Sequence, residues 1–191
     1  MESGKQVPAL FLVILLLGLA GVQSRAADDS LFEVTGAHTA VVYEVYVVDA
    51  NIRMRLTKHA REALQNGVPL EILVEVEVLR ERPWLWNETI EHIRKTYRLS
   101  YHALSERYIV KRLDAGTSAS YTSLEEALFE LGTIREMPVL PQQRVLPDQK
   151  YMIRIRAALL TEALPVPVRL WAYVSSRWRS ASDWYTWPLQ P

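Results

Sequence analysis

Cysteine is absent from the 191 residues. That excludes a disulfide framework, a thiolate metal site and a cysteine nucleophile, and it leaves no thiol to accept a lipid. Stability must then come from a hydrophobic core, which a chain of this length is able to bury. Glycine is scarce, and beyond residue 26 it is confined to Gly36, Gly67, Gly116 and Gly132. These are scattered, so no Gly-x-Gly-x-x-Gly loop or phosphate loop is present. A Gly-x-Ser-x-Gly elbow and a His-Glu-x-x-His helix are missing too. An excess of either charge is also lacking: 22 basic residues balance 22 acidic ones. Nucleic-acid binders carry a basic surplus, so a nucleic-acid partner is not expected. Arginine far outnumbers lysine, which suits fixed, planar ion pairs.

One long apolar run is present. Lys5 precedes an almost wholly apolar stretch from Val7 to Val22, and Ser24 and Ala26 follow as small residues. This is the charged, apolar and small-residue order of a secretory signal peptide cleaved after Ala26. The run is shorter than the roughly 20 residues that span a bilayer, which favours cleavage over a retained membrane anchor. The expected organisation is a signal peptide over 1–26 and a single β-rich domain over 27–191.

Within that domain Ala27 to Phe32 reads as a loose leader. Val41 to Val48 is β-branched and aromatic, Asp49 reads as a turn, and Ala50 to Leu56 alternates apolar and polar residues, so the pair reads as a hairpin. Thr57 caps a two-turn helix that stops at Asn66-Gly67. Leu70, Ile72, Val74, Val76 and Val78 line one face of a long strand, and Glu71, Glu75, Glu77 and Glu81 line the other. After Trp84-Leu85-Trp86 comes a strand from about Ile90 to Ala103. Tyr108–Arg112 and Ser118–Tyr121 read as a further hairpin. Ser123 and Glu126 fit a capping box that starts a helix ending at Gly132. Met137 to Pro147 holds three prolines and reads as an irregular crossing loop. Tyr151, Ile153, Ile155, Ala157 and Leu159 alternate along a last half-buried strand. Seven to nine strands, two short helices and no βαβ alternation predict a mainly β fold: an antiparallel sandwich or a curled sheet.

Several segments occur together in a characteristic order. They are Asn66-Gly67-Val68-Pro69-Leu70, the pair Trp84 and Trp86, Tyr97 to Leu104, Ser123 to Leu128, and the closing Trp184-Tyr185-Thr186-Trp187-Pro188-Leu189. In these the chain resembles the exported proteobacterial family catalogued as domain of unknown function 4390. The resemblance covers nearly all of residues 27–191. It implies a secreted or envelope protein of the periplasm, held at the inner membrane if the signal is not cleaved. Genes of the family often lie near those of a membrane sensor kinase pair of the nitrogen-regulation type, so the resemblance makes such a kinase a candidate partner. It brings no activity and no site residues.

No catalytic constellation stands out. His92 and His102 share a strand face, but at about 3.3 Å per residue they lie roughly 33 Å apart, too far to share a metal. No metal or cofactor is expected. The row Glu71, Glu75, Glu77 and Glu81 has a spacing that glycoside chemistry would tolerate. Like charges along a strand more often face cations, and Arg94, Arg98, Arg154 and Arg156 are available for that. Such pairs are expected to be exposed and worth about 0–1 kcal/mol each.

The tryptophans Trp84, Trp86, Trp171, Trp178, Trp184 and Trp187 are the candidate binding residues, because indole combines large apolar area with one polar handle. Packing, a binding surface and peripheral membrane contact are their three readings. The leading function is a non-catalytic interaction module, accessory to an envelope sensor or assembly system and meeting an envelope protein. The second is a carrier or binder of an apolar or glycan ligand in a Trp/Tyr-lined groove. The third is a hydrolase whose carboxylates come from distant strands. The tail, with three aromatics in its last eight residues, is expected to dock on the domain.

Overall fold

The computed structural model describes residues 32–161, 164 and 180–190. The signal segment, Trp171 and Trp178 therefore lie outside the described residues. Alternation along Leu70–Arg80 builds the centre of the protein: this strand, β3, buries Leu70, Ile72, Val74, Val76 and Val78 completely. The remaining strands are β1 (Phe32–Val42), β2 (Val45–Met54), β4 (Glu88–His102), β5 (Arg107–Arg112), β6 (Ser118–Tyr121), β7 (Thr133–Pro141), β8 (Tyr151–Leu160) and β9 (Tyr185–Pro188). Two α-helices, α1 (Lys58–Gln65) and α2 (Leu124–Gly132), and a 3-10 turn at Gln142–Arg144 complete the described elements.

The strands form two antiparallel sheets, ordered β1-β2-β7 and β6-β5-β4-β3-β8-β9. They face each other as a sandwich without closing into a barrel, with β1 against β8 and β9 and β7 against β3 and β4. The mainly β architecture with two short helices is the one the alternation predicts. Its core includes Phe32, Tyr46, Val48, Leu64, Leu99, Leu140, Ile153 and Ile155, each buried almost completely. Three strands cannot cover six. Helix α2 covers part of the surplus, packing on β2, β5, β6 and β7.

Both helices begin as the sequence predicts. The Thr57 hydroxyl accepts from the Ala60 amide at 3.1 Å, and the Ser123 hydroxyl accepts from the Glu126 amide at 3.1 Å. The Glu126 carboxylate reaches back one residue further than expected, accepting from the Thr122 amide and hydroxyl. Gly132 ends α2 for a reason of space. A Cβ there would sit 2.0 Å from the backbone oxygen of Ile52, so only glycine lets the helix press against β2.

Three expectations need correction. The first hairpin turns at Tyr43-Glu44, not at Asp49. Val42 pairs with Val45, and the two residues between them have φ of 47° and 62°. This left-handed pair is the geometry of a two-residue turn that matches strand twist, reached here without the usual asparagine or glycine. Asp49 lies inside β2, where its carboxylate accepts from the Glu136 amide at 3.0 Å. Phe32, expected in the loose leader, is fully buried at the start of β1; the rest of that leader lies outside the described residues. The proline-rich crossing loop is partly a strand, since β7 takes in Pro138 and Pro141. β7 is an edge strand, the place where a missing amide is tolerated.

Candidate functional site

On the outer face of the larger sheet the glutamate row of β3 meets cations from both sides. Register places Glu71 beside Arg98, Glu75 between Arg94 and Arg156, and Glu77 between His92 and Arg154. Arg156 approaches one Glu75 oxygen with two N–H groups at 2.7 and 2.6 Å, and Arg154 holds Glu77 at 2.8 and 2.6 Å. The other Glu75 oxygen lies 3.2 Å from His92 Nε2 and 3.4 Å from Arg94 Nε. Arg98 binds Glu71 at 2.7 Å. The indole of Trp184 covers this cluster, 4.4 Å from the guanidinium carbons of both Arg154 and Arg156. The expected arginine-bearing neighbour of β3 is therefore present on each side.

The expected exposure is not. Glu75 is only 5% exposed, and the Glu77 side chain is nearly as buried. Coverage comes from the long arginine stems on both flanks and from neighbours such as Leu73 and Leu79, which are buried on the same face. Chemically the row is a ladder of clamped carboxylates. An acid or base for glycoside chemistry needs a carboxyl free to exchange its proton, whereas these oxygens already face guanidinium donors. Among the described residues no His, Asp and Glu group is placed to hold a metal ion.

The β3–β4 hairpin ends differently. Arg80 and Arg82 both grip Glu88 at its base, and their hydrogen bonds hold the Glu88 carboxyl below its ordinary range. Beyond this clamp the chain turns at Arg82–Leu85, with Trp84 in the left-handed region at φ 69°. The turn carries Trp84 and Trp86, exposed at 102% and 92%, with Leu85 exposed between them. The Tyr43-Glu44 tip belongs to the same end of the sandwich. The Gln142 amide donates to the Glu44 carbonyl at 2.8 Å, Arg144 pairs with Glu91 of β4 at 2.7 Å, and the Glu81 amide donates to the Lys150 carbonyl. Val41, Tyr43 and Leu146 are exposed there too.

The candidate tryptophans are thus dispersed. Trp84 and Trp86 share the tip, and Trp184 roofs the charged face. Trp187 in β9 is partly buried, with Nε1 donating to Thr39 at 2.8 Å. The tail docks as expected, β9 pairing with β8. β9 ends at Pro188, and one further bond follows it: the Leu189 amide donates to the Tyr151 carbonyl, and Leu189 is buried. A cavity of about 520 Å³ opens between β7 and the uncovered β4–β6 region, lined by Tyr97, Val110, Tyr121, Leu131, Ile134 and Met137 among others. Among the described residues no tryptophan lines it. At its mouth Lys95 lies 2.6 Å from Asp114, and hydrogen bonds from Lys95 and then Arg112 lower the Asp114 carboxyl to about 2. Burial raises the Tyr97 phenol.

Sequence reading missed Tyr43 as a tip residue and the tyrosine-lined cavity. No turn signal marks Tyr43-Glu44, and the cavity arises from strands far apart in the chain. No curated protein and no solved structure matches the chain. The residues quoted above for the family resemblance fall within β3, β4, α2, β9 and the tips and turns that join them, and residues 29–188 match one family throughout. The chain belongs to the family described as Domain of unknown function (DUF4390).

Proposed function

We propose that this protein is a non-catalytic interaction module of the periplasm, exported by residues 1–26 and accessory to an envelope sensor or assembly system. The observation that carries this reading is the Trp84-Leu85-Trp86 tip, where two indoles and an isobutyl group stand in water. Contiguous exposed apolar groups of this kind mark interaction sites in soluble domains. The clamp of Arg80 and Arg82 on Glu88 holds the tip's base in place. The clamped carboxylates of β3 support the same reading, since they serve register and packing in place of proton transfer.

A photo-crosslinking amino acid at position 85 tests the reading in intact cells. An adduct from position 85, and none from position 65 at the opposite end, is the expected result. Absence of any adduct at 85 would remove the tip as the binding surface. The intact mass of the envelope form checks export: the mature chain is expected to begin at Ala27, and a full-length, membrane-retained product would mean an anchored protein. A second reading, carriage of an apolar ligand, is favoured by the cavity beside β7. Of the Trp/Tyr lining expected from sequence it has the tyrosines and, among the described residues, no tryptophan. Binding of a naphthylamine dye that is lost in Met137→Trp would support it.

A further inference from the structure

We infer that the tip's partner is a lipid bilayer, with Trp84, Leu85 and Trp86 entering its interfacial layer. The inference rests on the tip being the binding surface and adds the nature of what it meets. Indole and phenol side chains are the residues that settle at the membrane–water boundary, where an apolar ring is covered and its polar atom stays wet. The tip offers two such indoles around a leucine, and the neighbouring tip offers Tyr43, 96% exposed.

Size separates a bilayer from a folded protein partner. The two indoles supply at most about 500 Å² of contact, taking roughly 250 Å² each. The other exposed apolar groups at this end, Val41, Tyr43 and Leu146, stand on separate segments and do not widen one continuous patch. A stable protein interface needs about 800 Å² per side. The hairpin is convex and its apolar residues stand at its end, so a fluid surface surrounds them where a rigid one would touch a single edge. The second tip and the segment carrying Leu146 lie at the same end, bound through Gln142–Glu44 and Arg144–Glu91, and add further exposed apolar groups there. Charge adds a condition. Arg80, Arg82 and Arg144 are each paired with a glutamate, and the remaining cation among the described residues at this end, Lys150, is offset by Glu44 and Glu81, so the contact depends on apolar insertion and not on attraction to anionic lipid.

The chain has no cysteine, so Leu85→Cys in the envelope form beginning at Ala27 accepts a single environment-sensitive nitrobenzoxadiazole label, without the apolar Val7–Val22 run that would itself enter vesicles. Gln65→Cys, exposed at the end of α1, is the control. It lies about 35 Å from the tip along the eleven residues of β3. Vesicles of phosphatidylcholine alone, and of phosphatidylethanolamine with phosphatidylglycerol, are the probes. Emission from position 85 should rise several-fold on both and be quenched by lipids carrying a nitroxide near the headgroup, while position 65 stays unchanged. The rise should survive 1 M salt. Adding Trp84→Ala and Trp86→Ala should weaken it at least tenfold without moving the thermal melt.

An unresponsive position 85, equal responses at 85 and 65, loss of the response in salt, or full binding without the two indoles would each overturn the inference. A protein adduct from position 85 together with a dark label on vesicles would overturn it while leaving the interaction reading in place. Absence of any adduct would remove both.

Discussion

Replacing Glu75 by glutamine changes one atom and tests the buried end of the charge ladder. The Glu75 side chain is 7% exposed and faces Arg156, Arg94 and His92. Glutamine keeps the shape, and its carbonyl can still accept from Arg156. Its amide then points N–H groups at donors that the second carboxylate oxygen had accepted from. A hydrogen bond to a charged group contributes about 1.5–3 kcal/mol, and Glu75 makes at least two such contacts. The Arg156 and Arg94 side chains are 41% and 59% exposed, so water recovers part of the loss. The net cost should be about 2–3 kcal/mol, or a fall in Tm of roughly 4–12 °C for a domain of this size. Urea melts followed by circular dichroism measure it, with Glu33→Gln as the internal reference. Glu33 pairs with Arg53 at 2.6 Å, but both side chains are 56% exposed, so that change should cost under about 0.5 kcal/mol. If Glu75→Gln costs no more than Glu33→Gln, burial adds nothing to the ladder and the argument fails.

Gly132→Ala should cost more than about 3 kcal/mol, because its Cβ would meet backbone rather than a movable side chain; a melt within 1 kcal/mol of the parent would refute that. Truncation after Asp183 removes β9, the Trp184 roof and buried Leu189, and should destabilise by roughly 4–6 kcal/mol, about 2–3 kcal/mol for buried Leu189 and as much again for the half-covered Trp184 and Trp187 together. An unchanged urea midpoint would show that the tail contributes nothing to the fold. Asp114 is held at about 2, below its ordinary 3.8, so its contribution is present above pH 4 and is lost as pH falls from about 4 to about 2. Its exposure keeps this below about 1 kcal/mol, so Asp114→Asn should differ slightly from the parent at pH 7 and not at pH 2; a gap that persists at pH 2 would mean a role other than the ion pair.

Local chemistry determined much of this protein from sequence alone. The period-two pattern from Leu70 to Val78, and again from Tyr151 to Leu159, names both the strand and its inward face. The helix starts at Thr57 and Ser123 are legible because a hydroxyl satisfies amides within its own turn. The acidic row on β3 and the surplus of arginine already implied cation neighbours. What depends on pairing between distant segments was decided only in three dimensions. Tyr43-Glu44 turns left-handed because the strands on either side are locked in register, not because either residue prefers it. Pro138 and Pro141 sit in a strand because β7 has one unpaired edge. Glu75 is buried because two arginine-bearing strands close over it. The 520 Å³ cavity exists because three strands face six. Six tryptophans with one shared chemistry were open to several fates. For those described, Trp187 went between the sheets, Trp184 onto the guanidinium groups, and Trp84 and Trp86 into water, since position on a strand, at its end or in a turn is set by the whole fold.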